Sequence, residues 1–149
     1  MVNKLFNSSF EMELRVATLL SSDCSKVYSI ERILILDFMA CYAKEFGFAD
    51  GNLHGDNSFM YGELSSRREL IQEAIKYLVC RGAVDVKINR GYYYKITPIG
   101  SEYIMSLESE YAQEYRKIIN AVNNELNDYT DDQLMKMVQY KSDYKRKGV

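Results

Sequence analysis

Tryptophan is absent, and histidine and proline occur once each, at His54 and Pro98. One histidine rules out a helix that presents two of them to a metal, and a His-based nucleophile relay would have to rest on His54 alone. Glycines are few and scattered, with no phosphate-binding loop among them. Cys24, Cys41 and Cys80 are odd in number and far apart, which excludes a zinc knuckle, a redox pair and a disulfide framework; reduced core thiols are expected. Long apolar runs are missing too. The longest aliphatic run, residues 33–36, stops at Asp37, and the first ten residues lack the apolar core of a signal peptide. A cytoplasmic location is expected, with no membrane partner. Neither sign of charge dominates: 19 lysines and arginines face 21 aspartates and glutamates, a net charge of −2 that does not by itself call for nucleic acid.

What is present is an ordinary globular mixture, 47% hydrophobic and 27% charged over 149 residues, enough for one core without a staple. Ser8 and Glu11 form a capping-box pattern ahead of Phe10, Leu14, Ala17 and Leu20, so a first helix is expected over 8–22. Ser29 caps a second, from Ile30 to Phe46, stopped by Gly47. It is apolar on nearly every side and therefore central; its Asp37 needs a partner there. Residues 47–62, rich in glycine, asparagine and aspartate, read as a long loop. A third helix follows over 63–81, with Leu64, Ile71, Ala74, Ile75 and Leu78 on one stripe and Gly82 as its stop.

The period then changes to two. Residues 83–88 and 92–97 read as strands around an Asn89-Arg90-Gly91 turn. Thr97 and Pro98 open another helix, packed back by Ile99, Tyr103, Ile104 and Leu107. Three helices, a hairpin and a closing helix are the order of a winged helix-turn-helix. The expected class is mainly α (α+β): a winged-helix domain over 1–108 with a two-stranded β-wing, and a C-terminal helical extension over 109–141. Ser109 caps one helix of that extension, and Thr130 with Gln133 boxes another; residues 142–149 form a basic tail expected to fray.

Chemistry is scarce. Glu63, Glu69 and Glu73 lie on an exposed helix with nothing to raise a pKa, so no enzyme, cofactor, metal site or small-molecule substrate is expected. The solvent face of the third helix projects as Ser65, Ser66, Glu69, Gln72, Glu73, Lys76 and Tyr77, a poor surface for a phosphate-lined groove. Arg67 and Arg68 fall on the flanks of its apolar stripe, and one of them is expected to pair with Asp37. On the wing, Lys87, Arg90 and Lys95 interleave with Tyr92, Tyr93 and Tyr94, which suits strand packing, a protein interface or stacked bases. Thirteen tyrosines exceed what a small core hides; Tyr111 and Tyr115 either pack on their own domain or dock a partner. Lys87, Arg90 and the tail residues Lys145, Arg146 and Lys147 are the candidates for nucleic-acid contact; Phe6, Asn7, Tyr92, Tyr93, Tyr111 and Tyr115 are those for a protein partner.

Leu5, Phe6, Asn7 and Ser8 leading into Glu13-Leu14-Arg15-Val16, then Gly62-Glu63-Leu64, the stretch from Arg67 to Glu73, Arg81-Gly82 and Tyr94 to Thr97 resemble the middle component of bacterial ABC-three-component systems. The resemblance covers residues 6–115, and its arginine–glutamate–leucine helix is the most specific part. It implies a small winged-helix subunit, without catalytic residues, that works beside an SMC-like (Rad50-like) ABC ATPase and a larger nuclease or effector component. Such systems are thought to act against phages and plasmids, and Lamassu defence complexes are close relatives. The implied partners are the ATPase and the effector, with DNA met only as part of the complex. The alternative expectation is a winged-helix transcriptional regulator that binds DNA as a homodimer.

Overall fold

The computed structural model describes residues 8–53, 55 and 60–146. Among the described residues six helices and one hairpin follow in chain order: α1 (Ser9–Ser21), α2 (Ile30–Cys41), α3 (Leu64–Cys80), β1 (Val84–Ile88), β2 (Tyr92–Ile96), α4 (Pro98–Met105), α5 (Glu110–Glu125) and α6 (Asp131–Arg146), with a 3₁₀ turn at Met60–Glu63 before α3. The architecture is mainly helical with a two-stranded antiparallel sheet. No helix among the described residues is long and apolar enough to cross a membrane.

Local chemistry starts and stops these elements. Ser8, Ser29, Thr97 and Ser109 each accept a backbone N–H of the first turn that follows, at α1, α2, α4 and α5. At α6 the Thr130 hydroxyl accepts the Gln133 amide while the Gln133 side chain accepts that of Thr130, a reciprocal capping box. Gly47 and Gly82 both take a left-handed φ, near +80° and +76°. Behind each, the next amide reaches five residues back, Phe48 to the Ala43 carbonyl and Ala83 to that of Leu78, which are Schellman closures. The second helix ends at Cys41 rather than Phe46 because the amides of Glu45, Phe46 and Gly47 bond three residues back, tightening the last turn before the glycine.

Helix α2 is the axis of the core. Residues 32–43 are all buried, and α1, α3, α5 and α6 pack around them. The hairpin pairs Val84 with Ile96 and Ile88 with Tyr92. Its second strand is tied to the segment before α2 by reciprocal Tyr28–Tyr94 backbone bonds of 2.9 and 2.8 Å. Helix α5 contributes Tyr115, Ile119 and Val122 to the same core, and α6 contributes Leu134 and Val138. One expectation needs correction. Ile99 and Tyr103 do not pack α4 back; they are 67% and 49% exposed, and Ile104 with Gly100 makes the contact. Helix α6 runs through Arg146, into the basic tail. Lys141 helps hold it, its Nζ bonding the Glu45 carbonyl at 3.0 Å.

Candidate functional site

At the centre of the bundle Asp37 of α2 meets charge from two sides. Arg15 of α1 donates from Nε to Oδ1 at 2.9 Å and from Nη2 to Oδ2 at 3.2 Å. Arg67 of α3 donates to Oδ2 at 2.8 Å, and the Tyr115 hydroxyl of α5 donates to Oδ1 at 2.7 Å. The carboxylate thereby joins four helices, with Arg15, Asp37, Arg67 and Tyr115 all buried. Burial by itself would raise the pKa of Asp37, but the Arg15 and Arg67 guanidiniums outweigh it and hold the group well below the usual carboxylate range. Burial and the neighbouring carboxylate push Tyr115 well up, and burial raises the Cys41 thiol beside them. A raised thiol and a raised phenol are poor nucleophiles. The cluster ties α1, α2, α3 and α5 together.

Arg68, the other arginine considered for Asp37, turns outward to Glu31, its Nη2 standing 2.7 Å from Oε2. Both arginines of α3 are therefore engaged by carboxylates of the chain itself. Ser65, Ser66, Glu69, Gln72, Glu73, Lys76 and Tyr77 are all exposed, as their helical projection requires. The outward rim of α3 thus presents two carboxylates and one ammonium. Lys87 and Arg90 are exposed on the hairpin, Lys95 is half-buried, and Tyr92 is 65% exposed. Tyr93 and Tyr94 are half-buried.

A family model described as ABC-three component (ABC-3C) system Middle Component 2 matches residues 5–147. The chain belongs to that family. No curated protein and no solved structure matches this middle component. The match runs beyond residue 115 and takes in α5 and α6.

Within the middle component the C-terminal tyrosines divide by environment. Tyr115 is fully buried on Asp37 and is not available to a partner, a correction to its candidacy as a docking residue. Tyr111 is half-buried, 3.4 Å from Arg15 Nη1, and burial raises its hydroxyl pKa well above the ordinary value. Tyr140 and Tyr144 of α6 are exposed. Phe6, Asn7, His54 and Lys147 lie outside the described residues, as do the side chains of Lys145 and Arg146. Among the described residues no group of three or more His, Cys, Asp or Glu could hold a metal ion.

Two structural arginines escape a reading of the sequence. Arg15 stands on a helix whose residues 14–20 are all buried, so no polar face marks it out. Arg32 donates to the Leu126 and Tyr129 carbonyls at 3.0 and 2.8 Å and to Asp131 at 3.0 Å, bracing the α5–α6 corner from α2. Only the charge of each residue inside an apolar run could have flagged it.

Proposed function

We propose that this middle component is a non-catalytic accessory subunit that holds an SMC-like (Rad50-like) ABC ATPase to an effector nuclease in an antiphage or anti-plasmid system related to Lamassu. It works in the cytoplasm and needs no cofactor or small-molecule substrate of its own. In this reading α1 to α4 and the hairpin form a winged helix put to use in binding protein. The observation that carries it is the outer face of α3, where Glu69 and Glu73 are exposed against Lys76 while Arg67 and Arg68 are consumed by Asp37 and Glu31. Recognition of a duplex needs the opposite balance, because each phosphate contact asks for a free cation.

The exposed Lys87, Arg90 and Tyr92 of the hairpin favour one other reading, a regulator that grips DNA as a homodimer. Co-expression of the tagged chain with the ATPase and the third component of its own system separates the two. Stable co-purification at moderate salt is the expected result. A chain that retains neither component, yet alone shifts DNA with a salt slope of several phosphate contacts, would make it a DNA reader instead.

A further inference from the structure

The ends of α1, α3 and α4 enclose a cavity of about 380 Å³, floored by Leu14 and Leu78. Around it stand Phe10, 61% exposed, with Ile99 and Tyr103; Tyr77 of α3 adds a fourth exposed large apolar group one position before Leu78. Phe10 of α1 with Ile99 and Tyr103 of α4 thus turn large apolar side chains outward around one hollow, and Tyr77 of α3 lies against the lining residue Arg81. Isolated exposed hydrophobics need no explanation, but a contiguous set around a cavity marks a binding surface.

The lining also limits what kind of chain can enter. Ala83 is its one residue next to a strand, and both of its backbone groups are taken, the amide by the Leu78 carbonyl and the carbonyl by the Thr97 amide. Among the described lining residues none offers a free strand edge, so an incoming segment cannot add itself there as a strand. It must satisfy its own backbone and bind through side chains, as a helix in a groove does.

Charge then selects among helices. Arg81 on the rim is already paired with Glu13. Glu73 lies one turn before Tyr77, and Glu102 lies three positions after Ile99 on α4; both are exposed and make no ion pair among the described residues. With Glu69 a further turn back, the exposed positions of α3 and α4 within about two turns of Tyr77 and Ile99 carry three carboxylates and one lysine, Lys76. A second copy docked across a two-fold axis would set these carboxylates against their own counterparts, which disfavours self-association here.

We propose that this groove receives an amphipathic helix of another component of the system, one whose apolar stripe is flanked by lysine or arginine. The proposal rests on the accessory-subunit reading and adds to it the surface and the chemistry of the partner.

The test uses the full chain co-expressed with the other components. Ile99→Asp and Phe10→Asp, each at an exposed position, should weaken retention of one component about tenfold or more, while Tyr140→Asp on α6 leaves it unchanged. Glu73→Lys combined with Glu102→Lys should weaken the same interaction, with a loss that shrinks as salt rises. Phe10 replaced by photoreactive benzoylphenylalanine, in an otherwise wild-type chain, should cross-link to a basic-flanked helix of that component. Undiminished retention in both apolar-to-Asp variants overturns the groove and leaves the accessory reading standing, as does an equal loss in Tyr140→Asp. A cross-link to a second copy, a cross-link within the same chain, or none at all overturns it too. A wild-type chain that retains no component overturns both.

Discussion

Asp37 is a carboxylate with no access to water, and its charge is tolerated because two guanidiniums and a phenol meet it there. Removing it strands two buried cations. Asp37→Ala should therefore destabilise the chain by about 3–5 kcal/mol in chemical denaturation. Replacing Asp37, Arg15 and Arg67 together with apolar residues of similar volume should cost far less, because no charge is left uncompensated. A triple variant as unstable as Asp37→Ala would mean that packing, not charge, sets the loss. The pH dependence has a definite sign. The folded pKa of Asp37 lies below its unfolded value, so its contribution is fully present above about pH 4–5 and is lost as pH falls toward the folded pKa. Acid titration of stability should show a loss in that range that Asp37→Ala lacks.

At the scale of elements, the caps and stops were legible because they are local chemistry. Ser8, Ser29, Thr97, Ser109 and Thr130 begin helices and Gly82 closes α3 through bonds within a few residues, while α2 stops at Cys41, ahead of Gly47. The apolar period was less reliable. In α1 it selected Phe10, which is exposed, and in α4 it selected Ile99 and Tyr103, because spacing marks a face but cannot tell a core from a groove. The hairpin joint shows what tertiary packing adds. A β-carbon at Gly100 would lie 2.3 Å from the Ala83 carbonyl oxygen, so α4 sits on the hairpin base only because that carbon is missing. Gly100→Ala should lower stability by about 1–3 kcal/mol, read as a drop in the denaturation midpoint. Arg90 at the hairpin tip takes a left-handed φ of 59° while exposed. Arg90→Gly relieves that strain and should raise stability by up to about 1 kcal/mol at the same denaturant slope; a fall instead would show that the arginine makes up for its backbone elsewhere.

At the scale of the whole molecule, the helical extension over 109–141 shares one buried cluster with the residues of 1–108. Tyr115 of α5 completes the ligation of Asp37, and Asn123 donates to the Tyr28 and Ser22 hydroxyls at 2.7 and 2.6 Å. From α2, Arg32 reaches the end of α5 and the start of α6. These links join residues 78 to 101 positions apart, which is why no local pattern reveals them. A chain cut after residue 108 would lose the Tyr115 hydroxyl, leave Arg32 without its three acceptors and expose the face of α2 that α5 and α6 cover. An apolar surface of that size, together with an under-satisfied buried cation, exceeds what a domain of this length can absorb. The full chain should therefore unfold in one cooperative transition by calorimetry. The 1–108 fragment should show no native-like transition, with exposed apolar surface that binds a hydrophobic dye. A fragment that melts cooperatively near the full-length temperature would restore the two-part description and make α5 and α6 free to move against the rest.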